Sequence, residues 1–165
     1  MATGIRSNGF TEYPRNPMNS VGKVLTTVFY EKTIATGAGT NTLHILAGPM
    51  SVGCRIAKIV GATPALTSAT DNDLGFYKKE TDGSFTAIDA DVLWDGIDLS
   101  SALTYRELLG TLNTALDRDD NIGTLLGVGA DYAHSVYLGL LIKTASTAAS
   151  EVLKLEIGIE TAPTV

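Results

Sequence analysis

Apolar and polar residues alternate along most of this chain, a pattern that is typical of β-strands with one buried face. The run from 23 to 34, KVLTTVFYEKTI, is rich in β-branched and aromatic residues and predicts a long first strand. Its two faces carry, respectively, Val24, Thr26, Val28 and Tyr30, and Leu25, Thr27 and Phe29. Because both faces are partly apolar, we expect cover on two sides, from a second sheet and from a neighbouring surface.

The same alternation predicts further strands over 42–47, 53–62, 71–79, 88–94, 134–143 and 153–160. Residues 103–109 fit either a strand or a helical turn. Turn residues separate these segments, as at Gly48-Pro49 and Asp82-Gly83. The sequence therefore predicts an all-β fold, a jelly-roll-like β-sandwich of roughly seven or eight short strands.

One short helix is predicted over 121–126, because Ile122, Leu125 and Leu126 fall on one helical face. Asp119 and Asp120 are expected to cap its N-terminus. Gly127 is expected to end it, since glycine readily adopts the left-handed conformation that closes many helices.

Residues 1–22 show neither a helical nor an alternating period, and they contain two Pro, three Gly and three Asn. We interpret them as an extended N-terminal arm, with a disordered tail as the alternative. Four apolar side chains are spaced along it as candidate anchors: Ile5, Phe10, Tyr13 and Met18. The predicted organisation is thus an arm over 1–22 and a β-sandwich domain over 23–165.

Composition narrows the range of partners. The net charge of −6 argues against nucleic-acid binding, which requires clustered Lys and Arg. No apolar run is long enough for a signal peptide or a membrane span, so we expect a soluble protein without a membrane partner, made in a cytoplasm. The single Cys54 excludes an intrachain disulfide and a cysteine-based zinc site, and it is interpreted as a small apolar group.

A catalytic site is not apparent in the sequence. His44 and His134 fall on predicted strands without a neighbouring nucleophile or second ligand. The sequence contains no nucleophile elbow, no zinc-protease motif and no phosphate-binding loop. A paired-carboxylate glycosidase is a lesser alternative, because such clefts are rich in aromatic residues and only 7% of this chain is aromatic. We expect no enzyme activity and no cofactor.

Acidic residues offer the nearest approach to a metal site. Three groups supply oxygen ligands suited to Ca²⁺, namely Asp71, Asn72 and Asp73; Asp89, Asp91 and Asp95; and Asp117, Asp119, Asp120 and Asn121. None has the spacing of an EF-hand loop, and Asp and Asn also cap turns by binding their own backbone. Turn chemistry is the favoured interpretation, so we predict no metal, with 117–121 as the best alternative.

Four segments resemble small structural proteins of tailed bacteriophages. They are CRIAKIVGA from Cys54, LTSATDNDLGFY from Leu66, IDADVLWDGIDLSSA from Ile88 and LKLEI from Leu153. The proteins they resemble are capsid decoration or cement proteins, which carry a jelly-roll domain on the shell. The resemblance covers roughly residues 20–160, while 102–130 depart from the pattern and fit an insertion.

This resemblance implies a virion structural protein on the capsid surface, made in the host cytoplasm. Its partners would be the major capsid protein and further copies of itself, as a homotrimer, and it would stabilise contacts between neighbouring capsomers. An extended arm suits this role because it can add to an exposed sheet edge. The contact residues that we predict are Ile5, Phe10, Tyr13, Met18, Phe29 and Tyr30.

Two other functions remain open at this stage. A carbohydrate-binding β-sandwich of a fibre or surface protein would need an exposed aromatic platform, for which Trp94, Tyr77, Tyr105, Tyr132 and Tyr137 are available. The other alternative is a tail or connector structural protein of similar fold. Copy number in the particle distinguishes it from a decoration protein.

Overall fold

The computed structural model describes residues 24–34, 42–66, 69–108, 120–143 and 151–161, and these ranges hold eight strands and one short helix. The strands are β1 (Val24–Ile34), β2 (Thr42–Met50), β3 (Arg55–Thr63), β4 (Asn72–Lys79), β5 (Phe85–Trp94), β6 (Leu103–Glu107), β7 (Val136–Ile142) and β8 (Glu151–Thr161). The helix α1 spans Ile122–Leu126. Residues 1–22, with the predicted arm, lie outside the described residues.

The strands form two four-stranded antiparallel sheets, in the orders β1-β8-β3-β6 and β2-β7-β4-β5. Their pairing is nested along the chain. The first strand pairs with the last, the second with the seventh, the third with the sixth and the fourth with the fifth. One long hairpin folded over on itself in this way is a jelly roll, so the predicted fold class is confirmed.

The core lies between the two sheets, where the inward-facing residues of each strand interdigitate. Ile59, Phe76, Leu138 and Ile157 have no exposed surface at all, and they come from four different strands. Alternation produces this arrangement directly, because successive side chains of a strand point to opposite faces. Burying side chains of this size stabilises the fold by about 1.5–3 kcal/mol each.

Several element boundaries differ from the sequence prediction. Strand β2 continues through Gly48 and Pro49 to Met50, because two register shifts against β7 let it bend and remain paired. Strand β5 begins at Phe85, three residues before the predicted start. Residues 103–107, which fitted a strand or a helical turn, form the edge strand β6.

The helix is capped differently from the prediction. The side chain of Asn121, and not Asp120, accepts a hydrogen bond from the Thr124 N–H at 2.8 Å, and Asp119 lies outside the described residues. Asn121 stands directly before the first helical residue in an extended conformation, which is the geometry that an N-cap requires. Gly127 ends the helix as predicted, at a φ of 64°.

Candidate protein-interaction site

An acidic cluster lies where β4 begins and β5 and β7 end. One carboxylate oxygen from each of Asp71, Asp73 and Asp95 lies within 4.8 Å of the others. Lys143 places its Nζ among them, 2.8 Å from Asp73, 3.4 Å from Asp71 and 3.5 Å from Asp95. The ammonium group therefore takes the place that a bound cation would occupy. A hydrogen bond to Asp73 raises the pKa of Lys143 above its ordinary range, although partial burial opposes the shift.

This cluster is better explained as a structural ion-pair network than as a metal centre. Asp73 is almost completely buried, so its charge needs a partner inside the fold, and Lys143 supplies it. Asp71 and Asp73 belong to one predicted ligand group and Asp95 to another, and the pairing of β4 with β5 brings the groups together. The 117–121 group lies mostly outside the described residues, and its Asn121 caps the helix.

One of the two histidines is buried and the other is exposed. His44 is buried within the sandwich, with its Nδ1 3.4 Å from the Tyr30 hydroxyl and its Nε2 without a hydrogen-bond partner. Burial lowers the pKa of His44, and the nearby charge of Lys32 lowers it further. His134 is exposed just before β7 and packs edge-to-face on Tyr132, with 5.4 Å between ring centroids. His44 thus lies beside the Tyr30 hydroxyl inside the fold, and His134 packs on an aromatic ring at the surface.

The most distinctive surface of the molecule is the outer side of the β1-β8-β3-β6 sheet. We call it the aromatic face and define it by Leu25, Phe29, Val60, Ala62 and Tyr105. Leu25, Phe29 and Tyr105 are 55%, 77% and 78% exposed, and they are the exposed large hydrophobic residues of the described chain. Phe29 and Tyr105 border a shallow depression of about 230 Å³ with Val60 and Ala62. Exposed apolar groups clustered in this way are typical of a protein-binding surface.

Tyr105 is held in a conformation that disfavours its own side chain. Its φ is 48°, the one positive φ of a non-glycine residue in the described part of the chain. A bulky residue in this left-handed region costs about 1 kcal/mol or more, which glycine would avoid. Because the ring is mostly exposed, its packing in the isolated chain offsets little of this strain energy. Strain of this kind points to a contact that the ring makes with another molecule.

Three ion pairs cross the aromatic face. Arg55 lies 2.7 Å from Glu160, Lys154 lies 3.3 Å from Glu31, and Lys58 is paired with Glu156. The three basic and three acidic groups of these pairs cancel, and the register of β3 with β6 adds Glu107 opposite Val60. The face is therefore an apolar and nearly balanced area on a protein of net charge −6.

The predicted contact residues have different positions in the structure. Phe29 belongs to the aromatic face, whereas Tyr30, the next residue of β1, packs its ring against the core and hydrogen-bonds towards His44. Burial raises the pKa of Tyr30, as expected for an inward-facing phenol. Ile5, Phe10, Tyr13 and Met18 lie outside the described residues. Tyr105 was not among the predicted contacts, because a backbone φ cannot be read from the sequence.

The five aromatics considered for a sugar platform do not share a surface in the structure. Tyr77 is buried, and Trp94, Tyr132 and Tyr137 are half-buried. The guanidinium of Arg106 lies 5.9 Å from the centre of the Trp94 ring. Tyr105 alone of the five is exposed, and its aromatic neighbour is Phe29.

Comparisons with models of protein families, with curated proteins and with solved structures give no match. The described residues contain no helix that is long and apolar enough to cross a lipid bilayer.

Proposed function

We propose that this protein is a structural component of a tailed-phage virion, a decoration protein that binds the outer capsid shell and reinforces contacts between neighbouring capsomers. Residues 1–22 attach it to the major capsid protein, and the sandwich stands above the shell. The protein works by contact between protein surfaces, without a cofactor and without a reaction.

The observation that carries this proposal is the aromatic face. Phe29 and Tyr105 expose large rings on one side of the sandwich, and Leu25 on the same side is more than half exposed. An exposed apolar surface of this kind promotes aggregation in a protein that acts alone, and it provides binding energy in a protein that assembles with others. The jelly roll agrees with the proposal, since viral capsid domains use it, although lectins and cupins share it.

The test is binding to emptied capsids of the phage that encodes the chain. The full chain is compared with a chain that begins at Lys23 and so lacks residues 1–22. We expect the truncation to weaken binding about tenfold or more, because removing even one good anchor residue costs 1–2 kcal/mol. Unchanged affinity overturns the role of residues 1–22, and a full chain that does not bind capsids overturns the proposed function.

The carbohydrate-binding alternative has one favourable observation, the exposure of Tyr105 beside Phe29 over a shallow depression. A glycan array tests it directly. Binding that is lost when Tyr105 is replaced by Ser would favour a fibre or surface lectin over a decoration protein. Signal that the substitution leaves unchanged would argue against a sugar site on this face.

A further inference from the structure

We propose that the aromatic face is a self-association surface, on which a second copy of this chain packs face to face about a twofold axis. The proposal does not depend on capsid attachment, because it concerns contacts between copies in solution. It rests on three properties of the face: its exposed rings, its charge pattern and its size.

The exposed rings need a partner that covers them. Phe29 and Tyr105 stand on β1 and β6, the two edge strands of the sheet, with the half-buried Val60 and Ala62 between them. The face thus has an apolar ridge at each side and a depression in the middle. In a face-to-face pair related by a twofold axis, a ring of one copy can enter the depression of the other.

The charge pattern favours a second copy over other acidic or basic partners. On β8 the outward residues Glu156 and Glu160 follow Lys154 as an acidic row, and on β3 the outward residues Arg55 and Lys58 form a basic row beside these two. A twofold axis between these strands places the acidic row of each copy over the basic row of the other. Two chains of net charge −6 repel each other over most of their surface, and this nearly balanced face is where they can approach.

The size of the face suits a stable pair. Four strands about 4.8 Å apart, two of eleven residues and the others of nine and five, give a surface of roughly 600 Å² before the relief of the side chains is counted. This approaches the area of roughly 800 Å² that each partner buries in a standard interface. Gly158 at the middle of the face carries no side chain of its own, and Leu25 and the stem of Lys58 lie over it.

A twofold pair differs from the homotrimer that the phage resemblance predicts, so the mass of the assembly separates the two. Sedimentation equilibrium of the full chain over a wide range of concentration measures this mass. We expect a monomer–dimer equilibrium. In the double variant Phe29→Ser, Tyr105→Ser the dissociation constant should rise about tenfold or more, since truncating anchor residues at an interface costs at least about 1 kcal/mol each.

A matched pair of charge reversals tests the electrostatic part. Lys154→Glu replaces a positive charge by a negative one beside Glu31, so it changes the charge of the face by −2 and should weaken the dimer. High salt should restore part of the affinity because it screens the repulsion. Lys79→Glu makes the same change of net charge at an exposed position on β4, in the other sheet, and should leave the dimer nearly unchanged. Circular dichroism confirms that each variant is folded.

A dimer that the double variant and Lys154→Glu weaken, while Lys79→Glu does not, supports the proposal. A chain that stays monomeric, a trimer, or a dimer insensitive to the double variant overturns it. A dimer that is lost only when residues 1–22 are removed shows that this segment, and not the aromatic face, joins the copies. None of these outcomes bears on capsid binding, which the experiment under the proposed function decides separately.

Discussion

Aromatic side chains are packed against the outer side of one sheet and exposed on the outer side of the other. On the β2-β7-β4-β5 sheet, glycines lie beneath the rings. A Cβ on Gly139 would stand 2.6 Å from the Tyr77 ring, and one on Gly48 would stand 2.6 Å from the Tyr137 ring. Each ring therefore lies close to the backbone of its own sheet, and Tyr77 is buried as a result. On the aromatic face, Phe29 and Tyr105 remain exposed.

This difference between the two outer surfaces shows what determines whether an aromatic side chain is buried or exposed. Cross-strand neighbours set the outcome, since side chains opposite each other on one face compete for the same space. The Tyr77 ring fills the space over Gly139, its diagonal neighbour on β7, whereas the space over Gly158, the diagonal neighbour of Phe29 on β8, is taken by Leu25 and the stem of Lys58. A ring that can fill the space over a glycine is buried, and a ring that finds this space occupied remains on the surface.

The largest effect is expected for Gly75→Ala. A Cβ at Gly75 would collide with the backbone carbonyls of Asp89 and Ala90, where the pairing of β5 with β4 shifts register. Backbone atoms cannot move aside cheaply, so we expect a loss of about 3 kcal/mol in the free energy of unfolding. Gly61→Ala on β3 is the matched control, because its Cβ would meet the flexible end of Leu103 at 2.9 Å, and we expect a loss of about 1 kcal/mol. Urea unfolding measures both, and equal losses would contradict the account.

Lys143→Met should have the next largest effect. It leaves the buried carboxylate of Asp73 without its ammonium partner, and we expect a loss of about 2 kcal/mol. The raised pKa of Lys143 means that its contribution is complete below the ordinary lysine pKa of about 10.4 and fades as pH rises through the folded-state value. Wild type and variant should therefore converge in stability at strongly alkaline pH.

The same variant sharpens the distinction between an ion-pair network and a metal centre. Without Lys143, three carboxylates stand together with no cation, and Ca²⁺ should raise the melting temperature of the variant but not of the wild type. Lys79→Met, at an exposed site, is the control and should show neither the loss nor the rescue. A wild type that Ca²⁺ stabilises as strongly would show that the cluster binds metal despite Lys143.

His44 is expected to make the free energy of unfolding depend on pH, with a smaller effect than that of Lys143. Because burial lowers its pKa in the folded state, the unfolded chain binds the proton more tightly. Stability is therefore complete above the ordinary histidine pKa of about 6.5 and falls as pH decreases below it. We expect wild type to lose stability as pH falls through about 6.5, and His44→Gln to lose clearly less. His134→Gln, at an exposed ring, is the matched control and should behave as wild type.

The smallest effect is expected for Tyr105→Gly, and it runs in the stabilising direction. Glycine removes the strain of the left-handed conformation, while the exposed ring contributes little to packing in the isolated chain. We expect the monomer to be equally stable or more stable by up to about 1 kcal/mol, although glycine also loosens the unfolded chain. Measured in dilute protein, a clear loss of stability would show that the ring supports the fold itself.

Much of the fold could be predicted because alternation is a local signal. The direction of each face on β8 follows from single residues, as with Leu155 inward and Lys154 outward, whereas both faces of β1 are partly apolar and the structure is needed to place Val28 inward and Phe29 outward. On β2 the same signal misleads. The polar His44 faces the core opposite Leu140, while Leu43 and Ile45 are the half-buried residues on the outer side. Tertiary packing, with Tyr30 beside the imidazole, outweighs the local pattern there.

The site could be predicted only in part, because its members meet through pairings between distant strands. Asp73 and Asp95 are 22 positions apart, and Lys143 is a further 48 along the chain, yet β4 places them together by pairing with both β5 and β7. Tyr105 joins Phe29 only because β6 and β1 occupy the two edges of one sheet. Phe29, by contrast, could be predicted as a contact from β1 alone, although the same pattern also selected Tyr30, which faces the core.

The nested pairing also fixes the order in which this protein can be completed during translation. Strand β8 lies between β1 and β3, so the sheet that bears the aromatic face is divided until the last strand has left the ribosome. Until β8 is made, β1 lacks the neighbour that it has in the finished sheet. The aromatic face therefore forms only when β8 has been added, and a chain that stops before β8 does not present it.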